Sequence, residues 1–162
     1  VAPRHAERMT FTKPGQLITA GLVAAVVVFL LTRLMYGELP PLPLLAGATL
    51  LLIALVDVAL ALNMRPRIKR KPGTEPVDGL TAARAVALAK ASSLAGAIMC
   101  GVWVGLIAYL LPLFGTVDAA RSDTGAAVVG LISAAALIAA GLWLENSLRN
   151  PDEPEEPYGD EE

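Results

Sequence analysis

The chain has 162 residues, 13 basic and 15 acidic side chains, one cysteine and one histidine, so it is close to neutral. That length leaves room for a single folded unit with short connections and no second domain. The lone Cys100 excludes an intrachain disulfide, and no catalytic, metal-ligating, cofactor-binding or nucleic-acid-binding motif stands out.

Hydropathy organises everything else. Four apolar stretches, at residues 17–36, 44–62, 94–114 and 125–144, each have the length of about 20 residues that an α-helix needs to cross ~30 Å of hydrocarbon. A soluble four-helix bundle would need polar faces at a 3.6-residue period. Neither Ala24-Ala-Val-Val-Val-Phe-Leu-Leu31 nor Leu50-Leu-Leu-Ile-Ala-Leu-Val56 offers one. The expected fold is all-α and polytopic, with four transmembrane helices forming two antiparallel hairpins.

The N-terminal segment, residues 1–16, carries Arg4, Arg8 and Lys13 ahead of the first stretch, as a secretory signal would. No Ala-x-Ala site follows, so the stretch reads as an uncleaved first helix. Arg33 lies about one turn from its outer end, where a long side chain reaches the surface by snorkelling. The proline-rich turn at 37–43 then predicts a tight hairpin with the second span.

The second span contains Asp57, ~9 Å inside its cytoplasmic end by helical rise. An ionised Asp in hydrocarbon costs ~2.5–3.5 kcal/mol on insertion scales, so it should face the bundle interior and find a partner. Lys90 is the natural partner and Arg84 the second. Two readings compete: an Asp57–Lys90 pair that ties the hairpins together, and an Asp57 that binds a proton, an ion or a polar headgroup. A protonated Asp57 with a hydroxyl or carbonyl partner is the third.

Residues 63–81 read as a basic cytoplasmic loop. Arg65, Arg67, Lys69, Arg70 and Lys71 crowd together, and Pro66 and Pro72 oppose helix. Such a cluster docks anionic lipid, worth ~1 kcal/mol per charge, or an acidic partner. Thr81 is the expected N-cap of the third helix. Its alanine-rich start at 82–93 has high helix propensity and nothing interrupts it before Pro112, so this helix should overhang the bilayer by two to three turns.

Ser93, Ala97, Gly101 and Gly105 recur every fourth residue, and Gly101-Val-Trp-Val-Gly105 is a Gly-x-x-x-Gly motif. Such rows let helix backbones approach closely. Span four offers Ala126, Gly130 and Ala134, which predicts packing of span three on span four; an oligomer through these faces is the alternative. Residues 115–124 read as an outer loop with solvated Asp118, Arg121 and Asp123. Trp103 should pack near mid-membrane, and Trp143 should lie in the inner aromatic belt. Glu145 ends span four as a solvated interfacial acid or as a neighbour of Asp57. Residues 146–162 form an acidic tail.

Charge sets the expected orientation. Eleven Lys and Arg lie on the side of both termini and the central loop; only Arg33 and Arg121 lie on the other. By the positive-inside rule both termini are cytoplasmic.

The stretch Ala83-Arg-Ala-Val-Ala-Leu-Ala-Lys-Ala-Ser-Ser-Leu-Ala-Gly-Ala97, leading into Gly101 and Gly105, resembles a family of small actinobacterial membrane proteins classed as a domain of unknown function. So does Gly141-Leu-Trp-Leu-Glu145 with the acidic, proline-rich tail behind it. The family's genes commonly lie beside folate-biosynthesis genes. The resemblance spans nearly the whole chain and implies four transmembrane helices in a plasma membrane, with no catalytic residues to carry over. The leading expectation for function is a non-enzymatic scaffold or accessory subunit of a membrane or envelope assembly. The second is a small transporter or permease subunit dependent on Asp57. The third, a lipid-modifying enzyme, lacks a His, Asp or Ser cluster at an interface, because the sole histidine is His5.

Overall fold

Proline is at home in the first turn of a helix, where its missing N–H has no intrahelical partner to lose, and the first helix opens on Pro14. The computed structural model describes residues 13–35, 38, 47–69, 73 and 78–148. Nearly all of them lie in four helices: α1 (Pro14–Met35), α2 (Ala48–Ile68), α3 (Gly79–Leu110) and α4 (Asp118–Ser147). Each is long and apolar enough to cross a membrane. The protein is an all-helical, multi-pass membrane protein.

The uninterrupted third helix is present: α3 runs for 32 residues, ~48 Å at ~1.5 Å each. It starts earlier than expected. Asp78, not Thr81, is the residue at its N-cap, with extended backbone and its carbonyl accepting from the N–H of Ala82 at 3.0 Å. It ends where Pro112 enters a 3-10 turn at Leu111–Leu113.

Three boundaries differ from the sequence reading. First, α2 continues through Pro66 to Ile68 and closes with the Lys69 N–H on the Arg65 carbonyl at 3.2 Å. Proline removes one ladder bond, and so close to the helix end the last turn survives it. Arg65 and Arg67 therefore belong to the last turn of α2, favourably placed at the negative end of the helix dipole. Second, the connection from α3 to α4 is short: the N–H groups of Thr116 and Val117 both donate to the Leu113 carbonyl at 3.0 Å. Third, Asp118, Arg121 and Asp123 are helical, in the opening turns of α4. An Asp in the first turn is stabilised by the positive end of the dipole. Asp123 is buried rather than solvated. The Arg121 Nε donates to the Phe114 carbonyl at 3.2 Å, with the guanidinium over the Phe114 ring.

Packing departs further from the expected pair of hairpins. The described parts of α1 and α2 make no contact with each other. The helices pack in the order α1, α3, α4, α2, with the α3–α4 interface the most extensive and only a light touch between α2 and α3. Lipid tails are as apolar as leucine, so helix partners are chosen by close backbone fit. On α1 the fit lies at Gly21 and Ala25. A Cβ added at Gly101 would overlap the Gly21 carbonyl, and one at Gly105 would overlap that of Ala25. The Gly-x-x-x-Gly groove of α3 thus receives α1, not α4.

The α3–α4 interface uses other small residues. Gly130 lies flat against the Trp103 indole, with no room for a Cβ. A Cβ at Gly96 would come within 2.9 Å of Ile138 Cγ1, and one at Gly141 within 2.9 Å of the Ser93 amide nitrogen. On α2, a Cβ at Gly47 would sit 2.7 Å from the Gly130 Cα. These contacts fix directions: α1 runs parallel to α3, α2 runs parallel to α4, and α3 and α4 are antiparallel. Burial follows the same order. Only 11% of the apolar window of α1 is buried, against 44% of that of α4.

One consequence is a polarised molecule. Lys13, Arg65, Arg67, Lys69, Arg84 and Lys90 gather at the end where α1 and α3 begin and α2 and α4 finish. Arg33 and Arg121 lie at the other.

Candidate functional site

Helices α2, α3 and α4 meet in layers of small side chains. Ala54, Leu137 and Ala140 form one layer, and Ala61, Ala89 and Leu144 form another toward the basic end. Asp57 lies between them on α2, one turn from both alanines of its own helix, and is 0% exposed. The Ser92 hydroxyl of α3 faces its carboxyl group, yet neither carboxyl oxygen has a partner at hydrogen-bonding geometry. Ser93, equally buried, turns its hydroxyl back to its own helix and donates to the Lys90 carbonyl at 3.1 Å.

The local sequence explains the enclosure. Alanines at 54 and 61 bring the α2 backbone near its neighbours, and Gly141 brings α4 onto Ala89 and Ser93. The expected Asp57–Lys90 pair is not made. Lys90 lies about 200° around α3 from Ser92 at ~100° per residue, so the helix that presents Ser92 to Asp57 turns Lys90 elsewhere.

The other members of the predicted cluster differ in exposure. Arg84 is exposed on the first turns of α3 and Lys90 is partly buried. Glu145 is 4% exposed, so it is buried and not a solvated interfacial acid. Arg33 is exposed at the far end. Trp103 is buried, and Trp143 is exposed near the basic end. Arg65 and Lys69 flank a notch with Leu62 and Pro66. Arg67 is half-buried; Arg70, Lys71 and the acidic tail lie outside the described residues.

Sequence reasoning missed Ser92, Gly96 and Gly141. The first carries the hydroxyl nearest to Asp57, and the other two set how closely α3 and α4 approach. The signal for Gly96 and Gly141 was the one used for Gly101, a small residue in a membrane helix. Among the described residues, no three His, Cys, Asp or Glu side chains are grouped to hold a metal ion.

No curated protein and no solved structure matches the chain. A family model does: it matches residues 17–152, from the first turn of α1 past the end of α4, and the chain belongs to the family described as protein of unknown function DUF3180.

Proposed function

We propose that the chain is a non-enzymatic accessory or scaffold subunit of a membrane or cell-envelope assembly, seated in the plasma membrane with both termini in the cytoplasm. The observation that carries this reading is the position of α1. It rests on α3 alone and leaves Ile18, Leu22 and Val26 more than half exposed. An apolar groove runs along each of its flanks, one lined by Thr19, Val23 and Ile98, the other by Leu17, Cys100 and Val104. A helix held by one neighbour, with shallow grooves beside it, is suited to receive a further transmembrane helix. The basic end supplies a second contact, through Arg65 and Lys69, for anionic lipid or an acidic partner. The resemblance read from the sequence adds an actinobacterial membrane as the setting.

The test is photocrosslinking in native membranes. A crosslinker at Val23 should give one discrete adduct, and one at Ile132 on α4 should not. The adduct should disappear when residues 65–71 or the tail are deleted. Equal, diffuse labelling from both positions rules the reading out. Orientation has its own check: in a Cys100→Ala background, Lys69→Cys should resist an impermeant maleimide outside intact cells and react after permeabilisation. Labelling in intact cells reverses the topology.

A second reading, a small transporter or permease subunit dependent on Asp57, is favoured by the enclosed carboxyl group. It predicts solute movement in proteoliposomes that is lost in Asp57→Asn.

A further inference from the structure

We propose that Asp57 is a proton-binding site. The proton is the ligand that its buried, unpartnered carboxyl oxygens take, and Ser92 is the hydroxyl that orients the resulting acid. This deepens the second reading above, but its experiment reads the site itself and not transport.

The choice of a proton over a larger ligand follows from the surroundings. A metal cation would need several oxygen ligands. The helices around Asp57 offer one side-chain hydroxyl, from Ser92, since the Ser93 hydroxyl is engaged with its own helix. The adjoining layers are built on Ala54, Leu137, Ala140, Ala61, Ala89 and Leu144, all apolar. A water needs two to four polar partners and room to sit, and Ser92 is the hydroxyl that the packing brings to the carboxyl group.

An ionised carboxylate left without a counter-charge in such a place is costly by several kcal/mol. Charged groups on the packed elements are few. On α3 they are Lys90 and, further along, exposed Arg84; on α4 the nearest is Glu145, beside Leu144 in the next layer. Helix α1 does not touch α2 and contributes none. Asp57 makes no hydrogen bond to any of them. A neutral acid, by contrast, leaves one O–H to place, and the Ser92 oxygen is there to accept it. Proton exchange then requires α2 to part from α3 and α4 far enough to admit water, so occupancy of the site is tied to the fit of α2.

Infrared spectroscopy of the full chain in lipid nanodiscs tests this. At neutral pH the protein should show the carbonyl stretch of a protonated carboxylic acid, shifted in deuterium oxide. The band should vanish in Asp57→Asn and persist in Glu145→Gln. Ser92→Ala should move its frequency without removing it; this supports the assignment even if Asp57→Asn fails to fold. Absence of the band in the parent, its survival in Asp57→Asn, or its loss in Glu145→Gln overturns the proposal. So does its bleaching by sodium at constant pH, which would make the ligand a metal cation.

Discussion

Gly130→Val should destabilise the folded protein by overpacking the α3–α4 interface, and Trp103→Ala should cost less in that background than it does alone. The Gly130 backbone faces the six-membered ring of the Trp103 indole, and even a methyl group there would overlap three of its carbons. The indole is itself fixed: Trp103 is 4% exposed and belongs to the core cluster with Leu106, Leu110, Ala127 and Ala134. A flexible side chain would swing aside, but this ring has no free volume to enter. Overpacking of a tight core costs about 1–3 kcal/mol, and the upper end applies here. In addition, α2 packs on the other side of Gly130 through Gly47, so displacing α4 disturbs two interfaces.

Trp103→Ala alone removes a large buried side chain and should cost about 3 kcal/mol. In the double variant, valine enters space the indole has left, so the two effects should fall short of their sum by ~1 kcal/mol or more. Denaturant titration of the four proteins in mixed micelles measures this. Strict additivity would mean that Gly130 and Trp103 do not share the contact described.

The spans were legible because lipid imposes a severe rule: every residue in hydrocarbon must be apolar or costly, and backbone groups must pair within the helix. A run such as Ala24–Leu31 has no other use. The length of α3 was legible for the opposite reason, because breakers are rare and the first one is Pro112. Asp57 stood out as a charge where none is expected.

The pairing of α3 with α4 was legible, but the partner of α1 was not, and the row Ser93, Ala97, Gly101, Gly105 explains why. Steps of four residues advance ~400°, so each member is rotated ~40° from the one before and three steps sweep ~120° around the helix. The row begins against α4, at the Ser93–Gly141 contact, and ends against α1, at Gly105–Ala25. A reader of spacing alone assigns it to one neighbour. The hairpin expectation failed similarly: a proline-rich turn brings two helix ends together in sequence, but α1 and α2 each find closer backbone fit elsewhere. For Asp57, charge complementarity pointed to Lys90, while the rotation of α3 set Ser92 there instead.

The double change Gly101→Val, Gly105→Val should release α1 while leaving α2, α3 and α4 assembled. Both added side chains would drive into the α1 backbone, at the Gly21 and Ala25 carbonyls, and a backbone cannot turn aside as a side chain can. All of the other helix contacts of α1 are with α3 too, so they rest on the same approach. Its edge contact between Phe29 and Tyr109, with ring centroids 6.5 Å apart, lies beyond Gly105 and depends on the same approach. With no hydrophobic force to keep two helices together in lipid, a loss of about 2–4 kcal/mol from two overpacked positions exceeds what that contact returns.

Cys100 reports the result. It is the chain's only cysteine, partly buried, and lines the groove between α1 and α3 with Leu17 and Gly21. In micelles its alkylation by a membrane-permeant maleimide should accelerate at least several-fold in the double variant. The main unfolding transition, carried by α3 and α4, should persist. Gly130→Val should show the reverse pattern, a weakened transition with Cys100 still covered by α1 until unfolding. If the double valine variant leaves Cys100 as slow as in the parent, α1 is not held by the glycine groove. If instead the variant loses all cooperative unfolding, α1 is no peripheral helix, and the accessory-subunit reading built on its single neighbour goes with it.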